Sequence, residues 1–179
     1  MGDLFVHYGK IENGSISVGQ NINLEIDKIK RKNSKANHSA THLLHESLRR
    51  TLGKHVMQKG SLVSPERLRF DFSHSKPIEN QEIAKINKIV NDIVEGSSDV
   101  QTRIMTPKEA VNMGALALFG EKYGEEVRVV FIGKDTNGFV STERCGGTHV
   151  TNTKAIGKFN SVRQTSIASK TLANRGYSE

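Results

Sequence analysis

Apolar residues recur at two different spacings along the chain, and the change of spacing divides it. Leu4-Phe5-Val6 and Ile22-Asn23-Leu24-Glu25-Ile26 cluster or alternate apolar residues, with Gly9, Asn13-Gly14 and Gly19 as punctuation, which predicts short strands. Asn13-Gly14 between Lys10-Ile11 and Ile16-Ser17-Val18 is a type I′ hairpin signal. Together these segments predict a small β-barrel or sheet subdomain over residues 1–32. The basic run from Lys28 to Lys35 is expected to be a solvated linker leading into a helix.

From Asn37 the period becomes helical. Ala40, Leu44, Leu48 and Leu52 recur every fourth residue until Gly53, the natural stop. Two strands are predicted next, over 56–63 and 68–72, the second with Leu68, Phe70 and Phe72 on one buried face. Ile83, Ile86, Val90, Ile93 and Val94 mark a second helix ending at Gly96. Thr106-Pro107-Lys108-Glu109 opens a third, as a capping box with Pro at the first helical position. Strands are expected over 127–132, 138–142 and 156–162, and the chain from Ile167 onward is expected to be irregular. Helices and strands interleave without a regular βαβ rhythm, so the fold class is α+β.

Composition narrows the functional classes. The 179 residues carry 26 Lys+Arg against 19 Asp+Glu, a net charge of +7, which favours a polyanionic partner. No apolar run approaches the roughly 20 residues of a membrane span, and the N-terminus has no secretory or transit character, so no membrane partner and a cytoplasmic address are expected. No motif speaks to oligomeric state. A single cysteine rules out an internal disulfide, and the seven histidines beside it raise the question of a metal.

His38 and His42 stand at i and i+4 in the first helix, so both imidazoles share one face a turn apart. His45 extends the stripe, as a spare ligand or a hydrogen-bond partner. Far along the chain comes Cys145-Gly146-Gly147-Thr148-His149, where two glycines allow the tight bend that brings thiolate and imidazole together. Three His and one Cys make a tetrahedral set of the softness that suits zinc. A lone cysteine is most often a small buried hydrophobe, but one followed four residues later by His across a Gly-Gly turn is a better ligand than core residue. Gln58, on the strand after the helix, cannot act as a general base, since its amide does not titrate; it can orient a water or read a hydroxyl. Thr41, Thr148 and Asp71 are small polar groups near the same motifs. His7, His55 and His74 have no partner at metal spacing.

The stretches 37–45, 58–63, 68–74, 114–124 and 145–149, in that order, resemble the editing domain of bacterial alanyl-tRNA synthetase. The resemblance runs from about Leu4 to Ala168, and free-standing alanyl-tRNA editing proteins and the second N-terminal domain of threonyl-tRNA synthetase share its His and Cys-His motifs. It implies an antiparallel sheet with packed helices over 33–179, preceded by the C-terminal part of a small β-barrel over 1–32. It implies hydrolysis of the ester of mischarged Ser-tRNA(Ala) or Gly-tRNA(Ala), with His38, His42, Cys145 and His149 binding Zn2+. Gln58 with the backbone of Gly146 and Gly147 would serve catalysis, and Thr41, Thr148, Arg67 and Arg69 would bind substrate. The partner implied is the tRNA(Ala) acceptor end, its phosphates met by Lys28 to Lys35, Arg49, Arg50, Arg67 or Arg69. A zinc-stabilised tRNA-binding module without catalysis is the alternative.

Four departures from the family pattern stand out. The family's aminoacylation core and C-terminal oligomerisation domain are not expected within these residues, so the chain resembles a fragment of the ligase. After Ile167-Ala168-Ser169 the sequence Lys170-Thr171-Leu172-Ala173-Asn174-Arg175-Gly176 replaces the family's Gly and Arg-Arg strand. Residues 133–140 are expected to form an extended hairpin, and Arg144 stands where Leu is usual before the cysteine.

Overall fold

The computed structural model describes residues 6–116, 124–168 and 171–178, with backbone alone beyond Ser161. Helix α1 spans Lys28–Leu52 and is longer than the apolar period predicts. The basic run is its first two turns and not a linker. Lys and Arg are good helix formers, and Asp27 caps the end by accepting the Lys30 N–H at 2.9 Å. Burial begins only at Ala36. From there Ala40, Leu43, Leu44 and Leu48 face the core, and the helix stops where the Gly53 N–H donates to the Arg49 carbonyl at 3.0 Å.

Strands β1 (Gln58–Val63) and β2 (Leu68–Ser73) follow, with Leu68, Phe70 and Phe72 all buried as their alternation predicts. Helix α2 (Asn80–Glu95) buries Ile86, Val90, Ile93 and Val94 and packs on α1. A short strand β3 (Gln101–Met105) was not predicted: its exposed residues offer no clear apolar alternation. Helix α3 (Pro107–Asn112) starts at the expected capping box, with Thr106 and Glu109 bonding reciprocally. Strands β4 (Val127–Asp135) and β5 (Gly138–Arg144) form the extended hairpin. A 3-10 turn over Thr153–Ile156 leads to β6 (Phe159–Ala168) and β7 (Thr171–Ser178).

All strand pairs are antiparallel, in sheets of order β1-β2-β7-β6 and β3-β4-β5. The divergent tail expected to be irregular is therefore β7, paired on both edges between β2 and β6. β4 is buried on both faces. Val127, Val129 and Phe131 meet Ala110 in a small cluster, while Val130 and Ile132 face the main core under α1 and α2.

The N-terminal expectation fails in one respect: among residues 6–27 there is no strand, and so no hairpin or barrel. Gly14 does turn the chain at a φ of 79°. But Tyr8, Val18 and Leu24 and the other apolar residues there are exposed, and strands with no sheet to bury one face have little to stabilise them. Within the motif at 114–124, residues 117–123 lie outside the described residues. No helix among the described residues is long and apolar enough to cross a membrane.

Candidate metal centre

His38 and His42 come from α1, with ring centroids 5.2 Å apart, and Cys145 and His149 come from the loop after β5. One ligand atom from each of the four lies within 4.8 Å of every other, so the cluster can hold a metal ion. Cys145 Sγ is 3.5 Å from His38 Nε2.

The outward nitrogens are held. His42 Nδ1 sits 2.9 Å from Glu143 Oε2, and His149 Nδ1 lies 3.3 Å from Ser39 Oγ, which also accepts the Val150 N–H at 3.1 Å. The inward atoms, His42 Nε2 and His149 Nε2, are buried with no hydrogen-bond partner. Leaving a buried polar atom unpaired costs about 1–3 kcal/mol, and a cation at the centre would satisfy both. A carboxylate behind a ligating His fixes its tautomer and raises its basicity, which is the arrangement His42 and Glu143 present. The donor set and its orphaned atoms thus fit a metal of zinc's preferences.

Electrostatics prepare Cys145 and His149 for ligation. Burial would raise the Cys145 thiol, but the His149, His38 and His42 imidazoles around it pull it down to about 3. Burial pushes His149 down to about 4, and the nearby His42 and His38 oppose its charge further. Thiolate and neutral imidazole are the forms a metal requires. His42 differs: burial would lower it, but Glu143 overcomes this and, with Cys145, lifts that imidazole to about 10, so a metal binding there must displace its proton. Burial would raise the Glu143 carboxyl, yet His42 and His45 hold it well below the usual range.

Three supporting residues escaped the sequence reading. Glu143 pairs across the ladder with Val130, so it shares the face turned toward α1 and bridges His42 and His45, the latter at 3.2 Å. Its signal was an acid in an inward register of an alternating strand. His45 is thus a hydrogen-bond partner of Glu143, packed against Phe70, and stands outside the four. Arg128 Nη1 donates to the Cys145 and Gly147 carbonyls at 2.7 and 2.8 Å and clamps the ligand loop to β4. Ser39 carries no sequence signal beyond its place in the helix.

Gly147 is needed for a reason other than bending. A methyl group there would occupy the space of the His38 imidazole, and the Gly147 N–H is turned to Cys145 Sγ at 3.4 Å. Gly146 is exposed at the tip of the loop, as is Thr148. Thr41 is buried and donates to the Asn37 carbonyl of its own helix at 2.8 Å. Gln58, half-buried, opens β1 opposite Phe72, and among the described residues no hydrogen bond joins it to the four. Arg67 is exposed in the β1–β2 turn, and Arg69 Nε pairs with Asp71 at 3.1 Å.

Residues 127–171, which include Cys145 and His149 but not the α1 pair, match the family of the threonyl and alanyl tRNA synthetase second additional domain. The wider chain is 53% identical over 172 residues to the alanine--tRNA ligase of Parvibaculum lavamentivorans, covering 94% of this chain and 19% of that protein. It is 53% identical over 173 residues to that of Rhodopseudomonas palustris, covering 93% and 20%. By these matches the chain is similar to a region of an aminoacyl-tRNA synthetase that carries this accessory domain. More particularly, the chain is homologous to the region of alanyl-tRNA synthetase that contains this domain, and it spans about one fifth of the length of the relatives it matches.

Proposed function

We propose that this chain is the proofreading module of an alanyl-tRNA synthetase, hydrolysing the ester of mischarged Ser-tRNA(Ala) or Gly-tRNA(Ala). The observation that carries the reading is the convergence of His38, His42, Cys145 and His149 in a chain homologous to that enzyme. Zinc is the ion the three imidazoles and the thiolate suit, and when bound it supplies a fixed positive charge beside the ligand loop.

The chain's own residues do the rest. Glu143 and Ser39 hold the imidazoles in the ligating tautomer, and Arg128 fixes the loop from which Gly146 projects. Gln58 is assigned the placing of the water, and the Gly146 and Gly147 backbone the holding of the carbonyl. Thr41, Thr148, Arg67 and Arg69 are assigned to the substrate. Water adds to the ester carbonyl and the acyl–oxygen bond breaks, releasing the free amino acid and a tRNA with its terminal ribose hydroxyl restored. No side chain among these is a clear general base, so the neighbouring ribose hydroxyl of the substrate takes part in moving the proton.

The chemistry explains why such a site is needed. A pocket built for a methyl group discriminates against an added hydroxyl by only about a hundredfold and cannot exclude glycine by size. The second site must spare alanine, and a pocket group left unpaired against its methyl costs about 1–3 kcal/mol, or roughly tenfold to a hundredfold in rate.

Four protein ligands close a tetrahedral site, which favours the second reading of a zinc-stabilised tRNA-binding module without turnover. Incubating purified, zinc-loaded protein with Ser-tRNA(Ala) separates the two. Release of serine that falls sharply in Gln58→Ala supports the deacylase, whereas tight binding with no release supports the binding module.

A further inference from the structure

The positive charge of this chain is not spread evenly over its cationic candidates. Arg49 donates to the Lys54 and Val56 carbonyls and pairs with Glu46; Arg50 pairs with Glu46 and Asp135; Arg69 pairs with Asp71. These three are engaged within the fold. Among the described residues no ion pair engages Lys28, Arg31, Lys32 or Lys35.

Those four residues stand at i, i+3, i+4 and i+7, so they form one stripe down α1, and the same spacing continues to His38, Ser39 and His42. The stripe lines a cleft of about 350 Å³ whose far side includes His149 and Thr151. His149 is 8% exposed and its Nε2 has no partner, so the cleft reaches the metal cluster itself. A second cavity of about 370 Å³ shares Lys32 and Ala155 with the first and continues to Lys154 and Gly157. Successive levels of the stripe are separated by about 5.4 Å, one helical turn. Apart from His149, no aromatic ring lines either cavity, so the surface offers charge to a backbone and no platform for stacked bases.

The geometry points to a phosphate track: the Lys28-Arg31-Lys32-Lys35 stripe seats consecutive backbone phosphates of a single-stranded RNA 3′ end and leads its terminal ribose to the cluster at His149. This deepens the proposed function by naming how its RNA substrate enters, and it assigns the grip to one stripe and not to Arg49 or Arg50. Because the contacts are to phosphates, the grip is independent of base sequence and strongly dependent on salt.

The test is anisotropy binding of zinc-loaded protein to an uncharged RNA hairpin with a single-stranded 3′ overhang, against the same hairpin made blunt, over a range of salt. In the triple variant K28A/K32A/K35A the slope of log affinity against log salt is expected to fall by about 2, since each single-strand phosphate contact contributes about 0.7. Affinity at low salt is expected to fall about tenfold or more, while R49A/R50A leaves the slope as in the unsubstituted chain. The single exposed substitution Lys32→Glu is expected to move affinity the same way. An unchanged slope in the triple variant, an equal loss in the arginine variant, or equal binding of the blunt hairpin would overturn the track. Since the RNA is uncharged, the result does not depend on hydrolysis: a chain that uses the stripe without releasing serine overturns only the deacylase, and one that hydrolyses without needing the stripe overturns only the track.

Discussion

The two halves of helix α1 are built from one continuous backbone and do opposite work. Residues 28–35 are mostly exposed and cationic, while residues 36–48 bury Ala40, Leu43, Leu44 and Leu48 together with Asn37, Ser39, Thr41, His42 and His45. The second half is stabilised by tertiary packing, and its polar residues are tolerated only because each meets a partner: Glu143, His149 or a carbonyl of the fold. The first half needs only its Asp27 cap and good helix formers. One helix can therefore carry a rigid ligand pair at a fixed distance from a solvated charged surface. A ligand arriving along the exposed half is delivered to the buried half.

Substitutions that treat the halves differently test this contrast. The largest effect is expected from His42→Ala, which leaves the buried Glu143 charge with only His45 and Ser141 to meet it; removing one partner of a buried pair costs about 3–5 kcal/mol. Thermal unfolding should show it, together with loss of bound metal. Leu44→Ala should destabilise by about 2–5 kcal/mol through the cavity it leaves, yet retain the metal, which separates packing from ligation in the same half. Glu143→Gln keeps the shape but removes the carboxylate behind His42, and competition with a chromophoric chelator should read a roughly 10–100-fold weaker metal affinity.

At the other extreme, Lys32→Ala should change stability by less than about 0.5 kcal/mol, because the residue is exposed and unpaired by any acid among the described residues. Arg50→Ala, on the surface near the helix end, should cost no more than about 1 kcal/mol. Its hydrogen bond holds the Asp135 carboxyl below its ordinary value of 3.8. A depressed carboxyl contributes stability that is present above the unfolded pKa and is lost as pH falls through the folded one. The gap between Arg50→Ala and the unsubstituted chain in urea titrations should therefore narrow only below about pH 4.

The same contrast explains what was legible in the sequence. Apolar period alone located the buried half of α1, the face of β2 and the whole of α2, because there burial and sequence pattern coincide. It missed the exposed half of α1, where Ile29 is the one apolar residue, no period marks the helix, and the cap at Asp27 was the only signal. β3 and β7 were missed for a related reason: their place in the sheets is set by the strands they pair with, not by their own alternation. The four clustered residues were legible because metal-binding chemistry favours His and Cys at narrow spacings. Glu143, Ser39 and Arg128 were not, since any strand or helix carries such residues and only the fold brings them to the ligands. In residues 6–27, alternation predicted strands that do not form there, for want of a sheet on which to bury their apolar side.

The central claim is that four residues from two distant segments form one metal centre. Zinc-edge X-ray absorption of the purified, zinc-loaded chain tests it most directly. A shell of three nitrogens near 2.0–2.1 Å with one sulfur near 2.3 Å, the sulfur lost in Cys145→Ser, is the predicted result. A folded chain that takes up no zinc, or a zinc shell without sulfur, would contradict it.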